Sequence, residues 1–538
     1  MTEKRFSRRL ALKGSSAAAA LVAAGCESPS SSDAGLDAPS VDAPRDTPPD
    51  VRTQPDAPAP TGPFQHGVAS GDPFPDSVVI WTRISEASGA LDVAWELSTG
   101  TDFAVLAASG TFRTDAARDH TVKVIAEGLE AGTTYYYRFR SGTDTSPIGR
   151  TRTAPSGAAD RLRFAIASCS SLAHGYFHGY RRIAERADLD AVIHLGDYIY
   201  EYGSGGYGKI RSYEPPNEIV SLADYRTRYA QYRRDPDLLE AHRQHPFITT
   251  WDDHETANNA WRDGAENHDP GEGTWADRLA VASQAYREWM PFRESSGGAL
   301  FRSLGYGELA ELVVLDTRVH GRDEQVEPTD PELESATRQL LGEDQEAFLL
   351  ERLRTSTARW KLVCQQVMMA NLPIFLNTDQ WDGYPAQRQR LYDAITEGPI
   401  SDVVVLTGDI HTSWAADLAP EAATYDPNTG AGAVAVEVVT PAITSPGFPE
   451  ALARSLAPTI EERAPHFRYF DLTQRGYVVL DLDAARCQAA FFHIDDVTDW
   501  RAGAETMSVA LDCPAGAAHW SEASAAAAPR TDAPPLAP

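Results

Sequence analysis

Residues able to bind metal or phosphate recur at the ends of apolar runs in this sequence. FAIAS is followed by Cys169, VIHLG by Asp197, FITTW by Asp252, Asp253, His254 and Glu255, VVLDT by Arg318, and VVVLTG by Asp409 and His411. Thiol and imidazole suit transition metals, and carboxylates suit hard cations such as calcium. Arginine offers a planar fork matched to phosphate oxygens and to the charge of a transition state. Taken singly, each has a plainer account: Asp197 as a turn residue, Cys169 as an inert core thiol, Asp252 to Glu255 as an exposed charged loop, Arg318 as a structural ion pair. Asp409 and His411, two apart, share one side of an extended chain. Placed together at the same end of successive strands, they point to a metal centre, because ligands of such sheets bind beyond the carboxyl ends of the strands.

The elements that must hold these residues read as an α/β domain over 156–513. RLRFAIAS, DAVIHLG, PFITTW, ELVVLD, WKLVCQQV, DVVVLTG, AVAVEVV and YVVLDL are its candidate strands. Helical stretches lie at Leu222 to Arg233, Ser283 to Met290 and in EDQEAFLLERL. Val, Ile and Leu runs without strict alternation imply strands buried on both faces and covered by helices. Residues 63–155 read instead as a small Ig-like β-sandwich of short runs between Gly, Asp and Pro turns. In it, Leu129 to Tyr135 resembles the corner where a tyrosine hydroxyl bonds back to the backbone. The segments 203–216 and 441–468 read as loops without a recognisable specificity pattern.

The chain of 538 residues has 48 Lys and Arg against 77 Asp and Glu, a formal charge of −29. That field repels nucleic acid and anionic membranes, although bound metal ions would reverse it locally for a small anionic substrate. Five widely spaced cysteines do not make a disulfide scaffold. Cys364 reads as core, while Cys487 and Cys513 could pair after export. Residues 1–26 read as an address: Ser7-Arg8-Arg9-Leu10-Ala11-Leu12-Lys13 looks like a twin-arginine signal, and Gly14 to Ala24 is too short to span a bilayer. Its end, LVAAGC, resembles a lipobox that would make Cys26 a lipidated first residue, with ordinary cleavage as the alternative. The implied partner is the twin-arginine translocase, the implied place periplasm, cell surface or exterior, with membrane contact only through the lipid. Residues 27–62 read as a disordered Pro/Ser/Asp linker and 514–538 as a disordered Ala/Pro tail.

GDYIYEY (196–202), WDDHETANNAW (251–261), LDTRVHGRD (315–323) and LTGDIHTSW (406–414) resemble the alkaline phosphatase D (PhoD) family of metallophosphoesterases. FQHGVASGDPFPDSVVIW (64–81) is similar to that family's N-terminal domain. The resemblance implies a four-layer α/β/β/α sandwich behind an Ig-like unit, hydrolysing phosphate monoesters and diesters with a metal-activated hydroxide. It implies Fe3+ held by Cys169, Asp197 and Tyr200 with Ca2+ beside it, or alternatively a dinuclear Fe/Zn/Mn site. Asp253, Asp409 and His411 would be further metal ligands, and His254 and Arg318 catalytic residues acting on the leaving oxygen and on phosphate. Asp253 stands where related enzymes carry asparagine, and Asp409 where they carry histidine. These exchanges of nitrogen for oxygen favour iron with calcium over zinc. Asp252 either shares in coordination or caps the next turn, and Asn258 and Asn259 support the ligands. Two other readings are a phospholipase D-like phosphodiesterase and a non-catalytic, metal-stabilised surface protein.

Overall fold

The structure, a computed structural model, describes residues 62–295, 297–373 and 377–538; the expected address and most of the linker, Cys26 included, lie outside the described residues. The front unit contributes β1 (Val68–Phe74), β2 (Ser77–Arg83), β3 (Leu91–Ser98), β4 (Ala108–Thr114), β5 (Thr121–Glu127), β6 (Thr134–Ser141), β7 (Asp144–Thr145) and β8 (Gly149–Arg152). Then follow β9 (Leu162–Ala167), α1 (His178–Ala184), β10 (Ala191–His194), α2 (Leu222–Tyr232), α3 (Pro236–Gln244), β11 (Pro246–Thr249) and α4 (Trp275–Trp289). The next part carries β12 (Arg302–Tyr306), β13 (Ala310–Val314), α5 (Glu343–Thr355), β14 (Trp360–Cys364), α6 (Pro385–Glu397), β15 (Val403–Thr407), β16 (Ser413–Leu418) and β17 (Ala435–Val439). The chain closes with α7 (Glu450–Arg463), β18 (Phe467–Asp471), β19 (Arg475–Leu482), β20 (Arg486–Ile494), β21 (Glu505–Pro514) and β22 (Ser521–Glu522).

Two large mixed sheets follow, one ordered β22-β21-β20-β19-β9-β10-β11-β1-β2-β5 and one ordered β12-β13-β14-β15-β17-β16-β18. Alternation along each strand sorts side chains between layers. Phe164 and Ile166 of β9 pack with Leu312, Leu362 and Leu406 of the other sheet in one core. Ala165 and Ala167 turn the opposite way, into the cluster made with Tyr180, Tyr229, Leu238 and Trp289 of α1 to α4. On the second sheet Val313, Val363 and Val405 face Leu349, Leu391 and Ile460 of α5, α6 and α7. The eight expected strands of this region all form.

The front unit pairs β1, β2 and β5 against a separate sheet of β4-β3-β6-β7, with β8 on β6, and the two layers enclose Val78, Ile80, Val93, Leu97, Tyr137 and Phe139. The Tyr135 hydroxyl accepts the Glu130 N–H at 2.9 Å, the expected corner bond.

Three expectations are corrected. The division at residue 155 does not separate sheets, because β1 pairs in parallel with β11, Ser70 opposite Pro246 and Gly71 opposite Phe247. A β-carbon on Gly71 would lie 1.9 Å from the Pro291 carbonyl oxygen, so the seam closes only over glycine. The segment 441–468 is not all loop, since α7 lies within it. The tail after Cys513 is ordered. Trp520 is buried and donates from Nε1 to the Glu437 carbonyl, and β22 pairs with β21. Farther on, the Arg163 guanidinium donates to the Ala528 carbonyl, the Tyr136 hydroxyl to the Pro535 carbonyl and the Arg243 guanidinium to the Pro538 carbonyl. An Ala/Pro composition suggests disorder because it lacks large apolar groups, but its carbonyls satisfy arginines of the folded body.

Cys487 and Cys513 stand directly opposite in the β20–β21 ladder, as free thiols. Among the described residues no helix is long and apolar enough to cross a membrane.

Candidate metal centre

The donors gather where β9, β10, β11 and β15 end, and the backbone there is held in unusual conformations. Cys169, Asp197, Asp409 and His411 have φ of +60°, +55°, +62° and +61°, a left-handed region uncommon for residues with a β-carbon. Such strain costs roughly 1–3 kcal/mol per residue and persists where surrounding structure enforces it. Here the enforcement is visible: the Cys169 N–H donates to the Gly196 carbonyl and the Ser170 N–H to the Asp197 carbonyl. The Ile443 N–H closes the turn from the other side onto the Ser168 carbonyl at 3.0 Å. Gly196, at φ +100°, lets the β10 loop touch the β11 loop, since a β-carbon there would lie 2.4 Å from the Asp252 nitrogen. Buried Glu255 ties the same loops together by accepting the N–H groups of Asp197, Tyr198 and Asp252. Burial, then the charge of Asp197, pushes its pKa up to about 8.

Three overlapping donor groups result, each with its ligand atoms within 4.8 Å of one another: Cys169, Asp197 and His411; Asp197, Asp253 and His254; Asp252, Asp253 and Asp409. Asp197 belongs to the first two and Asp253 to the last two, so the donors form a continuous row. Tyr200 joins the first group, its hydroxyl donating to Asp197 Oδ2 at 2.8 Å and lying 3.3 Å from His411 Nε2 and 2.6 Å from Ser445 Oγ. Burial, followed by the Asp197 charge, drives the Cys169 and Tyr200 pKa values well above their ordinary range. Asp197 Oδ1 and Asp252 Oδ2 are buried without a hydrogen-bond partner. Buried polar atoms ordinarily find partners, and a row of anionic donors with unpartnered oxygens fits cations. A cation would also reverse the upward shifts of Cys169 and Tyr200, since a coordinating thiol is deprotonated outright.

Arg318 is the internal counter-ion of this row. Fully buried, it reaches Asp252 through Nε, Asp409 through Nη2 and Asp379 through Nη1 at 2.8 and 2.9 Å, with Asp253 3.7 Å from Nη2. Its fork is therefore engaged with carboxylates on every arm. Burial raises the pKa of Asp252 well above the carboxylate range despite Arg318, with Asp253, Asp197 and Asp409 adding to the rise. For Asp409, burial outweighs Arg318 and sets the pKa at about 6. For Asp253, Arg318 and His254 outweigh burial and the shift is downward.

Every site residue expected from the sequence within the described part converges here. Asp252 faces the donor row rather than capping a turn. Asn259 supports the site through its backbone N–H, which donates to Asp253 Oδ2 at 2.6 Å. Two functional residues escaped the sequence reading. Glu201, wholly buried, accepts from His254 Nδ1 at 2.7 Å and from the Asn258 N–H at 2.8 Å. Its only signal was a carboxylate inside the aromatic stretch GDYIYEY. Asp379 lies outside every recognised stretch, in the turn before α6, and binds Arg318, Arg322 and Gln325 together.

Layered sheets with a row of thiol, phenol, imidazole and carboxylate groups at their strand ends fit a phosphatase with candidate metal-binding groups. The chain belongs to the PhoD-like phosphatase family, which it matches over residues 164–491, with that family's N-terminal domain matching over 50–155. It is 40% identical to alkaline phosphatase D of Bacillus subtilis (strain 168) over 451 residues, 77% of this chain and 75% of the relative. The solved structure of PhoD superposes with a TM-score of 0.79 at 36% identity, covering 88% of this chain and 94% of the other.

Proposed function

We propose that this protein is an exported metal-dependent phosphatase that hydrolyses phosphate monoesters and diesters on a four-layer α/β/β/α scaffold behind an Ig-like unit. The observation that carries the reading is the row of three donor groups sharing Asp197 and Asp253, with His254 in the middle group and Arg318 beside the row. Cys169, Asp197, Tyr200 and His411 are the set suited to Fe3+, a hard cation that accepts anionic donors. The oxygen-rich set of Asp252, Asp253 and Asp409 suits Ca2+. When bound, such ions act as Lewis acids toward phosphoryl oxygens and lower the pKa of water to supply hydroxide.

The chain's own residues do the rest. Glu201 fixes the His254 ring through Nδ1, and His254 gives a proton to the departing alkoxide. The Glu201 carboxylate is suited to this, because His254 lowers its pKa against the effect of burial. Arg318 keeps Asp252, Asp253 and Asp409 in register and contributes a fixed positive charge where negative charge accumulates. Folding before twin-arginine export would let a metal occupy Cys169 ahead of any oxidant, and lipidation at Cys26 would anchor the product.

The test is phosphate release from p-nitrophenyl phosphate and nitrophenol release from bis-p-nitrophenyl phosphate, with elemental analysis and visible absorbance on the same exported protein. Turnover of both substrates, iron with calcium, and a charge-transfer band lost in Cys169→Ser are expected. Zinc alone without colour would overturn the iron assignment, and turnover at the blank would leave a metal-stabilised surface protein.

A further inference from the structure

The loop that follows β17 meets the donor row with two hydroxyls of different duty. Thr444 and Ser445 are both fully buried. The Thr444 hydroxyl donates to the Ser171 carbonyl at 2.7 Å, and the N–H groups of Thr444 and Ser445 donate to the Cys169 carbonyl at 3.3 and 3.2 Å. With the Ile443 N–H on the Ser168 carbonyl, these bonds fasten the loop to the Cys169 turn without calling on the Ser445 hydroxyl.

That hydroxyl reaches a side chain of the donor row instead. Its Oγ lies 2.6 Å from the Tyr200 hydroxyl oxygen and 3.0 Å from the Cys169 carbonyl oxygen, and it accepts the Ser171 N–H at 3.3 Å. A serine hydroxyl carries one hydrogen and two lone pairs. With the Ser171 N–H on a lone pair, the hydrogen goes either to the Cys169 carbonyl or to Tyr200. A phenol brings its own proton, which Asp197 Oδ2 accepts at 2.8 Å, but a phenolate bound to a cation offers only lone pairs and needs donors. Among the described residues, the other polar groups in hydrogen-bond reach of the Tyr200 oxygen do not supply one. Asp197 is an acceptor, and His411 Nε2, 3.3 Å from Tyr200 and 3.8 Å from Asp197 Oδ2, faces the same donor group. The Ser445 hydrogen remains. Turning it to Tyr200 leaves the Cys169 carbonyl its two N–H donors, so no buried group is orphaned. A separation of 2.6 Å falls in the range of about 2.5–2.7 Å found for a hydroxyl donating to an oxyanion.

We propose that Ser445 is a positioning residue of the iron site: its hydroxyl donates to the Tyr200 phenolate while its backbone N–H holds the Cys169 turn, so one residue fixes the oxygen ligand against the sulfur ligand. The proposal rests on the reading of Cys169 and Tyr200 as iron ligands. A bond of this kind orients the phenol ring and withdraws electron density from its oxygen, which tunes the metal without touching it.

The experiment measures visible absorbance and iron retention on full-length protein with its resident metals, unaltered and as Ser445→Ala, Ser445→Thr and Thr444→Val. Ser445→Ala should move the phenolate band to longer wavelength by about 10–30 nm, the scale of one charge-assisted hydrogen bond. It should also release iron to a chelator about 10- to 100-fold sooner, as loss of an outer partner of a metal ligand does. Ser445→Thr keeps the hydroxyl and should hold both readings near those of the unaltered protein. Thr444→Val removes a hydroxyl that bonds a backbone carbonyl and should lower the melting temperature with the band in place. A band unmoved in Ser445→Ala, or moved as far in Thr444→Val, overturns the role of Ser445 alone. Protein without iron, or with a band indifferent to Tyr200→Phe, overturns the iron reading with it. If Ser445→Ala does not fold, resonance Raman spectra of the unaltered protein in H2O and D2O decide: the phenolate C–O mode should shift on deuteration, and an unmoved mode overturns the proposal.

Discussion

The thiol of the centre differs from its counterpart elsewhere in the molecule in backbone more than in side chain. Cys364 and Cys169 are equally buried, yet only Cys169 sits at a left-handed turn beside an unpartnered carboxylate oxygen. Glu201 invites a direct test of the acid role of His254. Glu201→Gln should lower kcat by about 10- to 100-fold on an alkyl phosphate, whose alkoxide must be protonated, and much less on p-nitrophenyl phosphate, whose phenolate leaves unaided. Equal losses on the two substrates would assign Glu201 to folding instead of proton transfer. At this scale Cys169, Asp197, Asp253, Asp409 and His411 were legible because each follows directly on an apolar run. Glu201 and Asp379 were not, because their partners are 53 and 61 residues away along the chain and nothing local marks the pairing.

Among the elements, the seam between β1 and β11 decides how the front unit relates to the rest. It is closed by Asp72, buried at φ +41°, whose carboxylate takes both arms of Arg302 at 2.7 Å. Truncating one partner of a buried ion pair strands the other charge at a cost of about 3–5 kcal/mol. Asp72→Ala should therefore lower stability by about 3 kcal/mol in urea unfolding, and a loss below about 1 kcal/mol would show that the seam relaxes around Arg302. Of the two strands at this seam, β11 was read as a strand in PFITTW, whereas β1, VASGDPF, carries too few β-branched residues to read as one. Their partnership was invisible, because pairing across 170 residues and more leaves no periodicity in either segment. The same limit applies to β20, β21 and β22, whose role depends on a tail that composition assigned to disorder.

At the scale of the whole molecule, several histidines are buried in a neutral state. Burial, then Arg83, holds the His66 pKa down to about 2; burial alone holds His194 at about 3, and burial with Arg150 holds His245 at about 3. In the unfolded chain each titrates near 6.5, so as pH falls the unfolded state takes up protons first. Their stabilising effect is complete above about pH 6.5 and is lost toward the folded values, by about 1.4 kcal/mol per pH unit for each histidine. The melting temperature should therefore fall steadily from pH 7 to pH 5; an unchanged value across that interval would sink the assignment. Removal of residues 524–538 should lower Tm by at least about 3 °C, because the bonds to Arg163, Tyr136 and Arg243 are lost together. A Tm within about 1 °C of the intact protein would mean the tail rests on the surface without holding it.

Helix α3 meets both ends of the described chain: Leu239 packs where Gly67 enters β1, and Arg243 binds the carbonyl of Pro538. It leads into the start of β11, whereas the donor row lies past the finish of that strand. The described chain ends thus meet at one pole of the molecule and the donor row lies at the other. A tether before residue 62 would therefore hold the protein by the first pole and turn the second outward to whatever phosphate esters diffuse past.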